Sequence, residues 1–262
     1  MSPRGAQSGE DTQLVVALMI GRAGSTGFPG KNVMPVMGRP LAAYPLMAAR
    51  ASRYVHRLYV STDSPEIMAI GRQYGAELIA RPPELATKEA LGEHVFRHGY
   101  EEIARRVASD GKKVELVVLL FANAATVSGE LIDEGIKALR RDPRLDSAVT
   151  TSVYNMWSPL RARKLDADGC LQPFVPFETF GDPKTLNCDR DSQGDVYFAD
   201  MGVSIVRPPC LENLEDGLLP QKWMGQRIYP IRSWSGCDID YEWQVPSVEF
   251  WLRKHGIEDA AK

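Results

Sequence analysis

Two fixed positive charges stand in a glycine-rich loop near the start of the chain. The apolar run Leu14–Ile20 has the length of a buried strand and leads directly into the loop Gly21–Asn32. Glycines let backbone amides approach a ligand closely, and exposed amides form a concave anion site. Arg22 adds a planar fork that suits phosphate, and Lys31 adds a compact charge on a flexible stem. The loop predicts a triphosphate site, although a solvated surface loop has the same composition.

The loop matches neither of the two common nucleotide motifs. Asn32 follows Lys31, whereas the P-loop GxxxxGK[ST] has Ser or Thr there. The glycine spacing also differs from the dinucleotide pattern GxGxxG. These departures argue against an ordinary ATPase and against a dinucleotide-binding enzyme.

A pair of carboxylates, Asp238 and Asp240, lies near the other end of the chain. In an extended segment, alternate side chains share a face, so both carboxylates would point one way and Ile239 the other. Mg²⁺ takes oxygen ligands and often bridges one or two carboxylates to substrate phosphates. Together with the cationic loop, the pair predicts a Mg²⁺ site, whereas a lone Asp-x-Asp is usually a solvated strand end.

Composition and charge exclude several classes without identifying a function. The chain has 262 residues, 44% of them hydrophobic and 25% charged, which is ordinary for a globular protein. A net charge of -3 gives no reason to expect a nucleic-acid partner. No apolar stretch approaches the roughly 20 residues that span a bilayer. Because Met1–Thr12 is polar and lacks the apolar core of a signal peptide, we expect a frayed tail and a cytoplasmic protein.

Strand-like and helix-like segments alternate, which predicts an α/β fold with a doubly wound, mostly parallel sheet. The predicted strands are Leu14–Ile20, Arg57–Ser61, Glu77–Ala80, Val114–Phe121, Ser147–Val153, Gly202–Val206 and Ile228–Pro230. The predicted helices are Ala42–Ala51, Pro65–Tyr74, Gly92–Ala108, Gly129–Arg140 and Val245–His255, with a further short one at Pro220–Trp223. No low-complexity linker divides the chain, so we expect a single domain over residues 13–262. Within it, Tyr154–Tyr197 is rich in proline and aromatic residues and departs from the alternation, as functional or interface segments do.

Several ordered motifs resemble those of one enzyme family, the CMP-sugar synthetases, which are cytidylyltransferases for acylneuraminic and 3-deoxy-ulosonic acids. Arg22–Asn32 resembles the signature RxGSxGxxxKN, Met37–Tyr44 a GKPLIAY-like segment, and Arg81–Thr87 the string RPxELAT. Near the end, Cys237–Asp240 resembles an IDID-type strand. The resemblance is close over about the first ninety residues and patchy beyond them. It implies a Rossmann-like nucleotidyltransferase domain.

The resemblance implies attack by an acceptor oxygen on the α-phosphorus of CTP, with release of pyrophosphate. It places Arg22 and Lys31 on the triphosphate, Arg81 at the pyrimidine, and Asp238 and Asp240 on Mg²⁺. The nucleotide-binding set that it implies is Gly21, Arg22, Ala23, Gly24, Ser25, Lys31, Asn32 and Arg81. It also implies a homodimer in which segment 154–197 packs on the twin subunit. A mobile surface insertion is the alternative for that segment.

The acceptor is the point at which the sequence departs from the family. Where acylneuraminate enzymes have an LQPTSPLR-like segment, this chain has Leu120–Val127, which retains only Asn123 and Thr126 as polar groups. The later RQxxPxxYxxNGAIY-like run is also reduced, at Arg190–Gly202. These losses favour a small anionic acceptor. A resemblance to the phosphonate cytidylyltransferase branch of the family implies a phosphonate, such as phosphonoformate or an aminoalkylphosphonate of antibiotic or lipid-headgroup pathways. The candidate acceptor-binding residues are Asn123, Thr126, Arg161, Arg163, Lys184, Arg190 and Tyr197.

Three alternatives stay open from the residues. The first is that the acceptor is a 3-deoxy-ulosonic or nonulosonic acid, and the second is that the nucleotide carries a base other than cytosine. The third is that the chain is a non-catalytic nucleotide-binding homologue. Charges at Arg22, Lys31, Asp238 and Asp240 argue against the last of these, because a scaffold has no need of all four.

Overall fold

A seven-stranded main sheet and two short hairpins make up the strands of a computed structural model that describes residues 12–24 and 27–260. The strands, in chain order, are β1 (Gln13–Ile20), β2 (Pro35–Val36), β3 (Arg39–Pro40), β4 (Val55–Thr62), β5 (Glu77–Ala80), β6 (Lys113–Phe121), β7 (Ser147–Val153), β8 (Arg163–Leu165), β9 (Leu171–Pro173), β10 (Tyr197–Val206) and β11 (Ile228–Arg232). The strand order in the main sheet is β11-β7-β10-β6-β1-β4-β5. Strand β10 runs antiparallel to β6 and β7, and the other strands of this sheet are parallel. Strands β2 and β3 form one hairpin, and β8 and β9 another.

Helices cover both faces of the sheet, because apolar side chains of the buried strands point alternately to the two faces. The helices are α1 (Ala43–Ala51), α2 (Pro65–Gln73), α3 (Gly92–Ser109), α4 (Gly129–Arg141), α5 (Pro208–Glu212) and α6 (Val245–Lys254). In β1, Met19 packs in one core cluster with Leu46 of α1 and Ile136 of α4. Its neighbour Leu18 packs in the opposite cluster with Phe96 of α3. Adjacent residues therefore face opposite layers, and the predicted doubly wound, mostly parallel sheet is confirmed.

Beyond β11 the chain runs along the edge at which the parallel strands end. It crosses that edge from β7 towards β1 without forming a strand. Four backbone amides guide this path: Ser233 donates to Thr151 O (2.9 Å), Gly236 to Ser152 Oγ (3.0 Å), Cys237 to Thr126 Oγ1 (3.1 Å) and Ile239 to Asn123 O (2.9 Å). The crossing carries the late carboxylates to the loop that follows β1.

The predicted strands and long helices are present, with ends that agree within two residues except at the start of β10. That strand begins at Tyr197 instead of Gly202. The short helix expected at Pro220–Trp223 is a three-residue 3-10 helix, Lys222–Met224. The very short β2, β3, β8 and β9 were not predicted, because two or three residues carry no readable period.

The expected strand at Cys237–Asp240 is wrong. The amides of Cys237 and Ile239 bond to the loop after β6, and that of Asp240 to the side chain of Gln244, rather than to a neighbouring strand, so the segment is irregular. The tail expected at Met1–Thr12 lies outside the described residues except for Thr12. Among the helices of residues 12–24 and 27–260, none is long and apolar enough to cross a membrane.

Candidate active site

A cavity of about 410 Å³ opens at the carboxyl edge of the sheet. The loop after β1, the end of β6, the start of α3 and the irregular segment after β11 enclose it. Its polar lining residues are Arg22, Lys31, Asn32, Arg81, Thr87, Asn123, Asp240 and Tyr241. Its apolar wall includes Ile20, Leu85, Val95 and Phe121. The carboxyl edge of a parallel sheet is where ligands of α/β proteins bind.

The loop after β1 is held to the end of β4. Gly21 donates its amide to Ser61 O (3.3 Å), and Ala23 donates its amide to Asp63 Oδ1 (2.9 Å). A Cβ on Gly21 would lie 2.7 Å from Ala122 Cβ, so the close approach of this loop to the end of β6 requires glycine. Of the predicted residues, Gly21 and Gly24 line this cavity and Ala23 lines a smaller one beside it, while Ser25 lies outside the described residues.

Lys31 and Asp240 form an ion pair, although 209 positions separate them in the chain. Lys31 follows Gly30, whose φ of +74° turns the chain into the 3-10 helix Lys31–Val33. The lysine side chain is only 10% exposed, whereas that of Asp240 is 53% exposed. The structure thus brings the cationic loop and Asp240 together at one cavity, whereas Asp238 is not among the residues that line it.

The acidic segment is anchored by its apolar residue. Ile239 is fully buried in a cluster with Val36 and Trp251, so the flanking Asp238 and Asp240 point the other way. Burial raises the pKa of Asp238, the neighbouring charge of Asp240 raises it further, and Lys31 and Asn123 act in the opposite direction. Two adjacent carboxylates that disfavour each other's charge are suited to a cation.

Arg81 is a half-buried cation with an unused donor. It follows β5, and its Nη2 donates to Ser61 O (2.6 Å). Burial lowers the pKa of Arg81 to about 10, and the nearby Arg22 also lowers it, while Asp63 raises it. Its Nε and the Oδ1 of Asn32 are buried without a hydrogen-bond partner. Buried polar atoms of this kind are normally paired, so these two are suited to contact a bound ligand.

The polar residues after β6 contact the acidic segment. Asn123 donates from Nδ2 to Asp238 Oδ2 (3.2 Å) and Ile239 O (3.3 Å) and also lines the cavity. Thr126 has no exposed surface, and its hydroxyl is bonded to Cys237. We expected both residues to face an acceptor. Thr126 instead supports the segment that carries the carboxylates.

The other predicted acceptor residues lie between β7 and the first residue of β10, outside the cavity lining of their own chain. Arg161 and Arg163 line a separate cavity of about 380 Å³; Arg161 donates to Cys188 O (2.6 Å). Arg190 pairs with Asp191 (3.1 Å), and Lys184 and Tyr197 are exposed. Their contact with an acceptor stays a prediction that requires a second subunit.

The residues present fit a magnesium site of the kind that phosphates complete. No cluster of three or more His, Cys, Asp or Glu side chains able to hold a metal occurs within residues 12–24 and 27–260. Mg²⁺ bound with a nucleotide usually takes only one or two protein carboxylates, which Asp238 and Asp240 can supply. Mg²⁺ binding stays a prediction.

Two residues near the site were not identified from the sequence. Asp63 holds the loop after β1, and Gln244 accepts hydrogen bonds from the amides of Asp240 and Tyr241. Asp63 stands directly after β4, and the rule that ligand sites lie at strand ends was sufficient to find it. Gln244 carries no such signal, because its contact depends on how the chain turns into α6.

Replacing Asp63 by Ala is expected to loosen the loop after β1. The amide of Ala23 loses a charged acceptor worth about 1.5–3 kcal/mol, so its exchange with solvent should be roughly tenfold faster or more. Hydrogen exchange of a peptide spanning residues 21–24, followed by mass spectrometry, measures this. Asp63→Asn keeps an acceptor oxygen and should have a smaller effect. Unchanged exchange in Asp63→Ala would show that the bond does not hold the loop.

Comparisons with known proteins agree with this geometry. A family model described as cytidylyltransferase matches residues 16–155. The chain is 37% identical over 84 residues to N-acylneuraminate cytidylyltransferase of Escherichia coli O18:K1:H7, which covers 32% of this chain and 20% of that protein. It is 28% identical over 134 residues to 3-deoxy-manno-octulosonate cytidylyltransferase of Bdellovibrio bacteriovorus, covering 51% of this chain and 49% of that protein. The matches thus span about a fifth to a half of these curated relatives.

A solved structure of CMP:2-keto-3-deoxy-manno-octonic acid synthetase complexed with CTP superposes with a TM-score of 0.61. The match covers 92% of this chain and 99% of that one, at 13% identity, and therefore speaks for the fold alone. The family model, by contrast, matches more than half of the 262 residues. The chain belongs to the cytidylyltransferase family, in which its motifs resemble those of the CMP-sugar synthetases.

Proposed function

We propose that this protein transfers CMP from CTP to a small anionic acceptor and releases pyrophosphate. The observation that carries the proposal is the meeting of Lys31 with Asp240 at a cavity that Arg22 and Arg81 also line. Cations for a triphosphate and carboxylates for a divalent cation are thereby adjacent, as nucleotidyl transfer requires. Such a transfer depends mainly on positioning and on neutralising charge on oxygen.

In the proposed reaction, an acceptor oxygen forms a bond to the α-phosphorus, and the bond from that phosphorus to the pyrophosphate oxygen breaks. Arg22 binds phosphate oxygens through its fork, and the loop amides add further donors. Lys31 exchanges Asp240 for a phosphate oxygen and stabilises the charge on the departing pyrophosphate. The largely dry surroundings of Lys31 strengthen that contact, because its side chain is only 10% exposed.

The base end of CTP lies beside Arg81 in this proposal. The unpartnered Nε of Arg81 is a donor for a pyrimidine carbonyl, and Asn32 Oδ1 is an acceptor at the same cavity. Leu85, Val95 and Phe121 offer an apolar wall for the planar ring. A triphosphate loop alone does not select a base, so base preference rests on these groups.

Asp238 and Asp240 are the residues that would hold Mg²⁺. When bound, the ion neutralises negative charge on the nucleotide phosphates. Asp240 is 53% exposed and so open to the cavity, while Asn123 holds the more buried Asp238.

For the acceptor we propose a phosphonate such as phosphonoformate. The residues at the end of β6 favour a compact acceptor. They present the ring of Phe121 and the methyl group of Ala122 to the cavity, and neither side chain can hydrogen-bond to the hydroxyl groups of a sugar. Thr126 is fully buried, and the side-chain amide of Asn123 donates to the acidic segment, at Asp238 Oδ2 and Ile239 O. Few groups are left there for a polyhydroxylated chain. A 3-deoxy-ulosonic acid is the second candidate, favoured by the similarity of this chain to 3-deoxy-manno-octulosonate cytidylyltransferase.

Pyrophosphate release from CTP and Mg²⁺, with panels of phosphonates and of sugar acids, tests the proposal. Release with a small phosphonate, and little with 3-deoxy-ulosonic or nonulosonic acids, is the expected result. Release with the sugar acids alone would establish the second candidate. CTP binding without release with any acceptor would indicate a non-catalytic homologue, and preference for another nucleotide in the same assay would contradict the assignment of CTP.

Asp240→Asn is expected to lower turnover by about 100-fold or more, the effect of removing one preorganised electrostatic group. The amide keeps the shape of the side chain and an acceptor oxygen for Lys31, so circular dichroism should be unchanged, while loss of the charge that pairs with Lys31 should lower the melting temperature. The initial rate of pyrophosphate release at saturating Mg²⁺ measures the effect. Native turnover in Asp240→Asn would show that this carboxylate does not act in the reaction.

We also propose that the protein is a homodimer built through the segment between β7 and β10. This segment exposes large apolar side chains, which mark an interaction surface. They are Met156, Trp157, Leu165, Leu171 and Phe174. In a dimer, the arginines of the segment would lie beside the partner's cavity.

Sedimentation velocity should show a dimer for the native chain, and Leu171→Glu should shift it towards monomer by placing a charge in the apolar surface. Leu219→Glu is the matched control, because Leu219 is also exposed but lies outside the segment. A native monomer at every protein concentration would contradict the dimer.

A further inference from the structure

The segment that carries both carboxylates has no regular secondary structure of its own. Strand β11 ends at Arg232, and the next 3-10 helix begins only at Glu242. A chain of this kind has no ladder of backbone hydrogen bonds to fix it. Its order must come from individual contacts made by neighbouring backbone groups and side chains.

Asn123 binds the segment on one side through both its backbone and its side chain. Its carbonyl oxygen accepts from the amide of Ile239 (2.9 Å), and its Nδ2 donates to Ile239 O (3.3 Å). The same Nδ2 donates to Asp238 Oδ2 (3.2 Å). One amide side chain therefore holds the backbone beside Asp238 and also the carboxylate itself.

Gln244 binds the segment on the other side. Its Oε1 accepts from the amides of Asp240 (2.7 Å) and Tyr241 (2.8 Å). The backbone amide of Gln244 in turn donates to Tyr241 O (3.1 Å), so Gln244 and Tyr241 each donate to and accept from the other. These bonds fix the backbone of Asp240 at the point where its side chain meets Lys31.

Between the two amide residues, the side chain of Ile239 is buried with no exposed surface. It prevents the segment from rotating about its long axis, because rotation would draw an apolar side chain into water. Rotation is blocked by Ile239, and displacement along the backbone is opposed by Asn123 and Gln244. Both carboxylates are thus held in place before any ligand binds.

We propose that Asn123 and Gln244 are positioning residues that preorganise Asp238 and Asp240 for a divalent cation. The proposal rests on the proposed function for the identity of the cation. Partners that orient metal-binding carboxylates typically change metal affinity by about 10–100-fold when they are replaced. Loss of either amide should therefore weaken cation binding without removing a ligand.

The test compares native protein with Gln244→Ala, Asn123→Ala and Gln244→Glu, using Mn²⁺ as the probe. Mn²⁺ binding to the nucleotide-free protein is followed by electron paramagnetic resonance, and the Mg²⁺ dependence of turnover is measured separately. Both alanine variants should bind Mn²⁺ about tenfold more weakly. Gln244→Ala should need correspondingly more Mg²⁺ for half-maximal rate and recover most of kcat at saturating Mg²⁺, whereas Asn123→Ala is compared by Mn²⁺ affinity alone, because Asn123 lines the cavity. Gln244→Glu keeps an acceptor oxygen for both amides and should retain Mn²⁺ affinity.

Asn213→Ala is the matched control, since Asn213 is an exposed asparagine at the end of α5 and outside the cavity lining. The melting temperature in the absence of metal is measured for every variant. If Gln244→Ala lowers the melting temperature but leaves the Mn²⁺ affinity and the Mg²⁺ dependence unchanged, Gln244 is only a helix cap and the proposal is overturned. Absence of Mn²⁺ binding by the native protein would also overturn it. Weaker Mn²⁺ binding by the variants of a protein without turnover would uphold the positioning role while the proposed function fails.

Discussion

The contact between Lys31 and Asp240 is the interaction on which the rest of the site depends. A lysine with a side chain only 10% exposed needs an opposite charge, and the partner that it finds comes from the far end of the chain. The pair closes one side of the cavity and sets the distance between the cationic loop and the acidic segment. A phosphate can replace Asp240 as the partner of Lys31, and a cation can replace Lys31 as the partner of Asp240. Ligands of both signs therefore find a partner in one place.

The carboxyl ends of the parallel strands share one edge of the sheet, and both members of this ion pair lie at that edge. The loop after β1 and the start of α3 lie there by ordinary βα connections, whereas the acidic segment reaches the edge by crossing it. The crossing passes over a buried network in which Asp200 accepts from Ser152 Oγ (2.6 Å) and Ser152 accepts from the amide of Gly236 (3.0 Å). Burial raises the pKa of Asp200. There is no room for a side chain at position 236, because a Cβ there would collide with Asp200.

The sequence was sufficient for the main sheet, its long helices and the two charged segments, because local periodicity and residue chemistry determine them. It was insufficient for the path of residues 233–240, since that path depends on distant side chains such as Ser152 and Thr126. For the same reason Thr126 was expected at an acceptor but lies buried against Cys237. The contribution of Gln244 was also missed, because its bonds exist only once the turn into α6 has formed.

The central claim is that Lys31 and Asp240 face the same nucleotide tail. Calorimetric titration with CTP in the presence of EDTA tests it most directly, by comparing the native protein with Asp240→Asn. Without the carboxylate, Lys31 is free for phosphate and a repelling charge is gone, so the variant should bind metal-free CTP more tightly than the native protein. Equal or weaker binding by Asp240→Asn would contradict the claim, because it would place Asp240 away from the bound triphosphate.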